Sequence, residues 1–400
     1  MNMKSLRLLV LAGAGLAIFA AGVASAAEQE HWRVFVADHS APTVRAVDVK
    51  TGSVLATVGV QAPAALEASR SGRTVFAVQS DADRVSAIAS GVALDDHGDH
   101  GDLKLTTPYL LNAVSKGARP VHLVEHDGKI AIFHDGDGSV AILAEAQFAK
   151  GKLAPHRLVT AAPHHGVAVP LGDKALVSIP NPKDADELPI GMRLIDEQGK
   201  PVADYACPDL HGEASSGPLL AIACATGLLV VDSQKVEPRI TFLPYSSSLP
   251  EGKATTLRGA KSLRYFIGNY GPEAIVLVDL SAPEPFRLVK LPARRVDFTI
   301  DPEHSDRIYV FTEDGFLHRI DAIKGEIVKS AKLTQAYSMD GHWRDPRPRL
   351  AVAGEEIVVS DPLASTLRVV NPETLAESRS IDIDGMPYGL VALGGSGEIH

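Results

Sequence analysis

Three histidines recur at nearly the same point of a repeating pattern. His122 follows a Pro-Val pair, His165 lies in a Pro-His-His-Gly run and His211 precedes a glycine, and the successive gaps are 43 and 46 residues. A period of this length is typical of one four-stranded propeller blade. Each histidine would stand where the innermost strand of a blade begins, and innermost strands line the central channel. The pattern therefore predicts that imidazoles from three adjacent blades meet at one metal site.

Zinc is the metal that such a site would favour, because it binds neutral imidazole and takes three or four ligands in a tetrahedron. Glu213 lies two residues beyond His211, so strand alternation points it into the same channel, as a fourth ligand or as the acceptor for a ligand's second N–H. His164 is expected to point away from His165, and a one-residue shift in the alignment would exchange their roles. His134 is a further candidate ligand. The alternative is three unrelated imidazoles bonded to backbone carbonyls.

A second candidate site is an insertion at residues 95–102, in which Asp, His and Gly alternate. Its candidate ligands are Asp96, His97, Asp99, His100 and Asp102. Carboxylate mixed with imidazole fits zinc better than copper, and the spacing is not that of an EF-hand calcium loop. The segment has too little apolar surface to order itself, so a solvated acidic loop is the alternative.

Short strands would position these residues. The chain beyond residue 30 reads as segments rich in Val, Ile and Leu between Gly, Pro, Asp and Asn turns, and eight successive second strands can be identified. We therefore predict an all-β chain forming a single eight-bladed β-propeller; seven blades is the alternative, because the repeat around 255–263 is weak. The strand at 32–38 and the segment at 387–393 each lack partners, so together they should complete one blade and close the ring.

The first residues have the features of an export signal. Lys4 and Arg7 precede an apolar run and an Ala-Ser-Ala sequence that ends at residue 26. Residues 1–26 are therefore predicted to be a signal peptide, and 27–400 a single domain in the periplasm. A membrane anchor is the alternative, but the run is short and no basic flank follows it. No other segment is apolar enough to enter a bilayer.

The two cysteines fit an oxidising compartment. Cys207 and Cys224 flank a predicted innermost strand and its neighbour, which favours a disulfide between them. The alternative is that Cys207, four residues before His211, is a zinc thiolate.

Composition and missing motifs argue against several function classes. The formal net charge of −10 at pH 7 argues against binding nucleic acid or anionic lipid. The sequence has no Cys-x-x-Cys-His motif for haem, no glycine-rich phosphate loop and no Gly-x-Ser-x-Gly nucleophile motif. Several histidines, His318 among them, carry no pattern and are expected on the surface.

The His-Asp-Gly insertion, together with His122, His165 and His211 on innermost strands, resembles the AztD-type periplasmic zinc chaperones. The resemblance covers the chain from about residue 28 onward. It implies two high-affinity zinc sites and direct transfer of zinc to the solute-binding protein of a zinc ABC importer. The assignment of those two sites to the channel and to the insertion is our own inference from the residues.

Three other functions fit parts of the pattern. A three-histidine zinc site with an open position is also the arrangement of a catalytic centre. A lactonase-like hydrolase is therefore the second hypothesis, with Glu213 and Asn269 as its polar groups. Copper redox chemistry would need more inward histidines and a second copper domain. A protein-interaction propeller with incidental histidines would bind no metal tightly.

Overall fold

The computed structural model describes residues 29–399 except 97–100, 127 and 235–237. The predicted signal peptide therefore lies outside the described residues. Within them, no helix is long and apolar enough to span a membrane.

Nearly all of the regular secondary structure in the described chain consists of β-strands. In chain order they are β1 (Gln29–Asp38), β2 (Thr43–Asp48), β3 (Val54–Gly59), β4 (Ala65–Ala68), β5 (Thr74–Gln79), β6 (Arg84–Ala89), β7 (Val92–Asp96), β8 (Gly101–Leu105), β9 (Tyr109–Lys116), β10 (Pro120–His126), β11 (Lys129–His134), β12 (Ser139–Leu143), β13 (His156–Val159), β14 (Ala168–Leu171), β15 (Lys174–Ile179), β16 (Gly191–Ile195), β17 (Pro201–Ala206), β18 (Glu213–Ser216), β19 (Leu219–Cys224), β20 (Gly227–Asp232), β21 (Arg239–Pro244), β22 (Leu257–Arg258), β23 (Tyr265–Asn269), β24 (Ala274–Asp279), β25 (Phe286–Lys290), β26 (Arg295–Ile300), β27 (Arg307–Thr312), β28 (Phe316–Asp321), β29 (Glu326–Lys332), β30 (Leu350–Ala353), β31 (Glu356–Asp361), β32 (Thr366–Val370), β33 (Glu377–Asp382) and β34 (Pro387–Ile399). A 3₁₀ turn at Ser80–Ala82 and the short helix α1 at Glu145–Ala149 lie in connecting segments.

These strands form the eight predicted blades. Seven sheets of four strands begin with the innermost strand: β4-β5-β6-β9, then β10–β13, β14–β17, β18–β21, β22–β25, β26–β29 and β30–β33. The eighth blade joins both ends of the described chain, since its innermost strand is β34 and its next three strands are β1, β2 and β3. The predicted eight-bladed ring is confirmed, and the weak repeat contains β22, which has only two residues.

The second strand of each blade is apolar because neighbouring blades cover both of its faces. All six positions of β5 are buried. Its alternate side chains enter two different clusters: Val75 packs with Phe35 on one side, and Phe76 with Ile130 on the other. Each fully buried side chain of this size contributes about 1.5–3 kcal/mol to stability. The core is thus a series of apolar layers between blades, which fixes the innermost strands around the channel.

The ring has two faces that differ in their loops. Because the strands of each blade alternate in direction, all segments that lead into innermost strands lie on one face, which we call the upper face. The turns between first and second strands lie on the opposite, lower face. The hairpin β7–β8 that carries the Asp-His-Gly insertion leaves the lower face, since it joins the third strand β6 to the fourth strand β9. There β8 pairs in parallel with the end of β34.

The disulfide prediction is confirmed. Cys207 and Cys224 are bonded to each other, with 17 residues of sequence separation. The bond ties the segment ahead of β18 to the end of β19. The thiolate alternative for Cys207 is therefore excluded in this state of the protein.

Candidate metal centre

His122 projects from an irregular stretch of β10. The pairing of β10 with β11 shifts register between Pro120 and Leu123, and His122 lies within the shifted segment. Such irregularities at the rim of a sheet redirect side chains. Here the shift lies at the start of β10, at the upper end of the channel.

His165 and His211 stand just ahead of the innermost strands β14 and β18, on the upper face. Gly212, directly after His211, has a φ of +86°, and a Cβ there would lie 2.5 Å from the carbonyl oxygen of Thr255. Only glycine combines that backbone conformation with so close an approach. The chain can therefore turn sharply after His211 and keep its imidazole in the channel.

The three imidazoles meet as the spacing predicts. The Nε2 atoms of His122 and His165 are 3.4 Å apart. The ring centroids are 5.0 Å apart for His122 and His165 and 5.3 Å apart for His165 and His211. Two nitrogens at tetrahedral positions about 2.0–2.1 Å from zinc are separated by about 3.3–3.4 Å. The first pair thus already has the spacing of two zinc ligands.

Each imidazole has its other nitrogen engaged by an outer acceptor. The distances from Nδ1 are 3.2 Å to Glu213 Oε1 for His122, 2.7 Å to Asp135 Oδ2 for His165, and 2.8 Å to the Thr255 carbonyl for His211. A carbonyl oxygen only accepts, so His211 carries its hydrogen on Nδ1 and presents a lone pair at Nε2. Histidines that bind metals are held in the same way by carboxylates or carbonyls.

Charge is concentrated at His122. Burial lowers its pKa, but the neighbouring carboxylates, Glu213 above all, outweigh burial and raise the pKa to about 8. For Glu213, burial raises the pKa, but His122, His211 and His165 together lower it by more, so the net shift is downward. The pKa of His211 is lowered, chiefly by burial. A metal ion bound through His122 near neutral pH would therefore have to displace a proton from it.

The group needs one adjustment to hold a metal ion. Within the described ranges, no set of three or more His, Cys, Asp or Glu side chains has its ligating atoms placed around one ion. At least one imidazole would have to move to bring three nitrogens onto one centre. The cavity of about 820 Å³ above the imidazoles leaves room for it.

The channel continues beneath the imidazoles. A narrower cavity of about 300 Å³ is lined by Glu67, Glu213 and Arg258, among others. Burial raises the pKa of Glu67 to about 7, although Arg258 acts in the opposite direction. Two carboxylates and one guanidinium therefore lie beneath the imidazoles, and Glu67 holds its proton more readily than an exposed glutamate does.

Two of the candidate ligands lie outside this group. Both ring nitrogens of His164 are engaged within its own blade, with the Ala162 carbonyl at 2.8 Å and Ser178 Oγ at 2.7 Å. His134 is fully buried, and its Nδ1 lies 3.1 Å from the Ser139 carbonyl. These contacts are typical of structural histidines. As predicted, His164 points away from His165.

The second candidate site is described only in part. His97, Asp99 and His100 lie outside the described residues, whereas Asp102 lies in β8. The base of the hairpin is held at the lower face, where Asp95 forms ion pairs with Arg73 at 2.8 Å and Lys104 at 3.0 Å. The described base of the hairpin and the channel imidazoles therefore stand at opposite faces of the ring.

Sequence reasoning identified Glu213 as a possible outer partner of an imidazole but missed the other two partners. Asp135 was indistinguishable from the aspartates of other turns, and its distance of 30 residues from His165 gave no signal. The Thr255 carbonyl belongs to the backbone and has no sequence signature. His318, expected on the surface, is only 2% exposed, because Thr312 and Ser330 satisfy its two nitrogens inside a blade.

Comparison with known proteins finds relatives that share both the sequence and the fold of this chain. No protein-family model matches the chain. The sequence is 50% identical to the zinc chaperone AztD of Citrobacter koseri over 370 residues, which are 92% of this chain and 88% of that protein. The crystal structure of Citrobacter koseri AztD has a TM-score of 0.90 at 49% identity and covers 93% of this chain and 100% of that one. Apo AztD from the same organism gives a TM-score of 0.88 at 48% identity, with 92% and 99% covered.

Proposed function

This chain belongs to the AztD family of zinc chaperones, and from that premise we propose that it carries zinc in the periplasm and delivers it to the solute-binding protein of a zinc ABC importer. The proposed cargo site consists of His122, His165 and His211. The observation that carries the proposal is that each Nδ1 is held by an acceptor outside the group, while the rings converge in the channel. Imidazoles fixed in this way are prepared to accept a metal ion through Nε2.

The geometry favours a carrier over a hydrolase. Asn269, one of the two polar groups that a hydrolase would use, receives hydrogen bonds from the backbone N–H groups of Thr255 and Thr256, both at 2.7 Å. The other, Glu213, is committed to His122. Asn269 is therefore held in a structural role, and one carboxylate oxygen of Glu213 is held by His122. Asn269 instead holds the segment ahead of β22, in which the carbonyl of Thr255 accepts the hydrogen bond of His211.

We further propose that the insertion at 95–102 forms a second zinc site, through His97, Asp99, His100 and Asp102. Because the hairpin leaves the lower face, this site and the channel site would fill and empty independently of each other. One docked partner could not reach both. Two sites that share no ligand and lie at different faces should have additive binding energies.

A competition titration tests both sites. Zinc is titrated against a chromophoric chelator with the wild type, with His122→Ala, and with a His97→Ala/His100→Ala double variant. We expect each variant to lose one tight site and to leave the affinity of the other unchanged. The proposal would be contradicted if the wild-type protein removed no zinc from the chelator. Loss of both sites in either variant would contradict their independence.

Delivery is tested separately. Zinc-loaded protein is mixed with the zinc-free solute-binding protein, and the rate of zinc transfer is measured. It is compared with the rate at which the same protein loses zinc to a chelator whose zinc affinity equals that of the solute-binding protein. Direct transfer predicts a rate that rises with the concentration of the solute-binding protein and exceeds the rate of loss. Equal rates would indicate release into solution.

The proposed location also has a direct test. We propose that residues 1–26 are removed on export and that 27–400 is the mature domain. The mass of the protein recovered from the periplasmic fraction should correspond to a chain that begins at Ala27. Recovery of the full-length chain from the cytoplasm or the membrane fraction would contradict it.

A further inference from the structure

One loop of the upper face presents an exposed tryptophan beside the imidazoles. The rim loop, residues 333–349, joins β29 to β30. At its tip, Trp343 is 72% exposed. Trp343 and Arg344 line the same cavity as the three channel imidazoles, and they also line a second cavity beside it. A single exposed apolar side chain needs no explanation in general, so the argument depends on how this one is held.

The rim loop is built to be rigid. The buried guanidinium of Arg347 donates hydrogen bonds to three carbonyls of the same loop: Ser338 at 2.8 Å, Asp340 at 2.9 Å and His342 at 3.0 Å. Outside the loop, Arg294 pairs with Asp340 at 2.8 Å. These bonds fix the base and the middle of the loop, so the tip is presented in a set position.

The tip itself is ordered around the indole. The backbone N–H of His342 donates to Asp345 Oδ2 at 2.8 Å, which closes a turn around Trp343. The guanidinium of Arg344 lies 4.9 Å from the centroid of the Trp343 ring. A pre-positioned tryptophan beside an arginine loses little conformational freedom on binding, and these two residue types are enriched among the side chains that dominate binding energy at protein interfaces.

Arg119 and Arg349 line the two cavities beside the tip, but the exposed charge of the upper face as a whole indicates what kind of surface fits it. Most exposed charged residues in the upper-face loops are acidic, including Asp81, Asp137, Asp186, Glu273, Asp340 and Asp384. The basic residues there are fewer, and Arg344 lies within 3.6 Å of Asp81. A partner with an apolar recess surrounded by lysines and arginines would complement this face.

From these observations we infer that Trp343 of the rim loop is the docking anchor for the zinc-accepting solute-binding protein, which binds the upper face through a recess with a basic border. The inference rests on the proposed function for the identity of the partner. It adds to that function the surface on which the partner binds. Docking there would bring the acceptor directly over His122, His165 and His211.

The test measures binding between the two zinc-free proteins, so that its outcome does not depend on the zinc site. The variants are Trp343→Ala and, as a matched control, Ile323→Ala. Ile323 is 74% exposed and lies in a turn of the lower face. We expect Trp343→Ala to weaken binding to the solute-binding protein at least tenfold and Ile323→Ala to leave it within twofold. Binding by Trp343→Ala at the wild-type level, or no binding by the wild type, would overturn the inference.

A second pair of variants tests the charge of the partner's surface. Asp186→Lys places a positive charge beside the upper cavity, and Asp173→Lys places one on the lower face, where Asp173 is 70% exposed. Asp186→Lys should weaken binding and reduce its dependence on salt, and Asp173→Lys should change neither. If the two substitutions had equal effects, the inference that the partner's recess has a basic border would be overturned.

The zinc titration separates the two failures. Trp343→Ala should retain the zinc affinity of the wild type, since the indole is not among the ligands. If Trp343→Ala loses zinc affinity together with partner binding, the rim loop belongs to the metal site and the docking inference is overturned. If the wild type binds no zinc but Trp343→Ala still loses the partner, the proposed cargo fails and the docking surface stands.

Discussion

At the scale of single residues, the outer hydrogen bonds of the imidazoles determine how well they bind a metal. Asp135 accepts the Nδ1–H of His165 and is itself buried. Asp135→Asn would remove the charge that fixes the ring and makes Nε2 a better ligand. Loss of such an outer partner costs roughly 10- to 100-fold in metal affinity, and we expect a reduction of this size.

A competition titration of Asp135→Asn measures the effect. The control is Asp137→Asn in the same turn, because Asp137 is exposed and bonds the backbone of Ser139 at 2.9 Å, a contact that asparagine can also make. An unchanged affinity in Asp135→Asn would show that His165 is not a ligand or does not depend on this carboxylate.

Buried neutral histidines make stability depend on pH. The pKa of His318 is lowered, because burial disfavours the imidazolium more than Asp314 favours it. The unfolded chain takes up a proton near pH 6.5, whereas the folded chain does so only at lower pH. The unfolded state therefore binds more protons in this window, and the free energy of unfolding falls as pH drops below about 6.5.

His318→Asn should reduce this pH dependence. Between about pH 7.5 and about pH 5.5, the loss in the free energy of unfolding should be smaller than in the wild type by up to roughly 1 kcal/mol. Urea denaturation at the two pH values measures it. His156→Asn, at an exposed position, is the control and should behave as the wild type does. If His318→Asn and the wild type showed the same pH dependence, buried His318 would not be a source of the loss of stability at low pH.

At the scale of elements, the disulfide restrains the segment that carries His211. The Cys207–Cys224 bond closes a loop with a sequence separation of 17 residues. Closing a loop of this length stabilises the folded state by about 3 kcal/mol in the chain-entropy treatment. Cys207→Ser/Cys224→Ser should lose stability of that order in urea denaturation. Reductant should destabilise the wild type and leave the double variant unchanged; a response in both would point to another cause.

The sequence predicted the strands and their grouping into blades better than it predicted the contacts of single residues. The period of about 45 residues marked the blades, because every second strand is apolar on both faces. Asp and His in place of apolar residues marked the insertion between β6 and β9. What could not be predicted depends on contacts between blades. Asp135 and His165 belong to different blades, and Thr255 contributes only a backbone atom to His211. Their relation is set by how the blades pack, which no local pattern reports.

At the scale of the whole molecule, one strand pairing closes the ring. β1 and β34 pair from Gln29–Gly397 to Asp38–Pro387. A chain that ends at Gly385 would lack the innermost strand of this blade and leave two sheet edges exposed. We expect that chain to unfold without a cooperative thermal transition or to aggregate.

Circular dichroism during heating measures this loss. The control chain ends at Gly397, which keeps the β1–β34 pairing and removes only the parallel pairing of β34 with β8. The control should unfold cooperatively, within a few degrees of the full chain. A cooperative transition in the shorter chain would show that seven blades and an incomplete eighth are sufficient.

The pairing of Gln29 with Gly397 also determines how the protein can be attached to a surface. Both residues lie at the lower face, so a tag or linker added at either end emerges on the side away from the imidazoles. A sensor surface coupled through either end would present the rim loop and the channel mouth to a protein in solution. Coupling through a residue of the upper face would obstruct them. Binding assays that give different results in these two orientations would locate the contact on the upper face without any substitution in the chain.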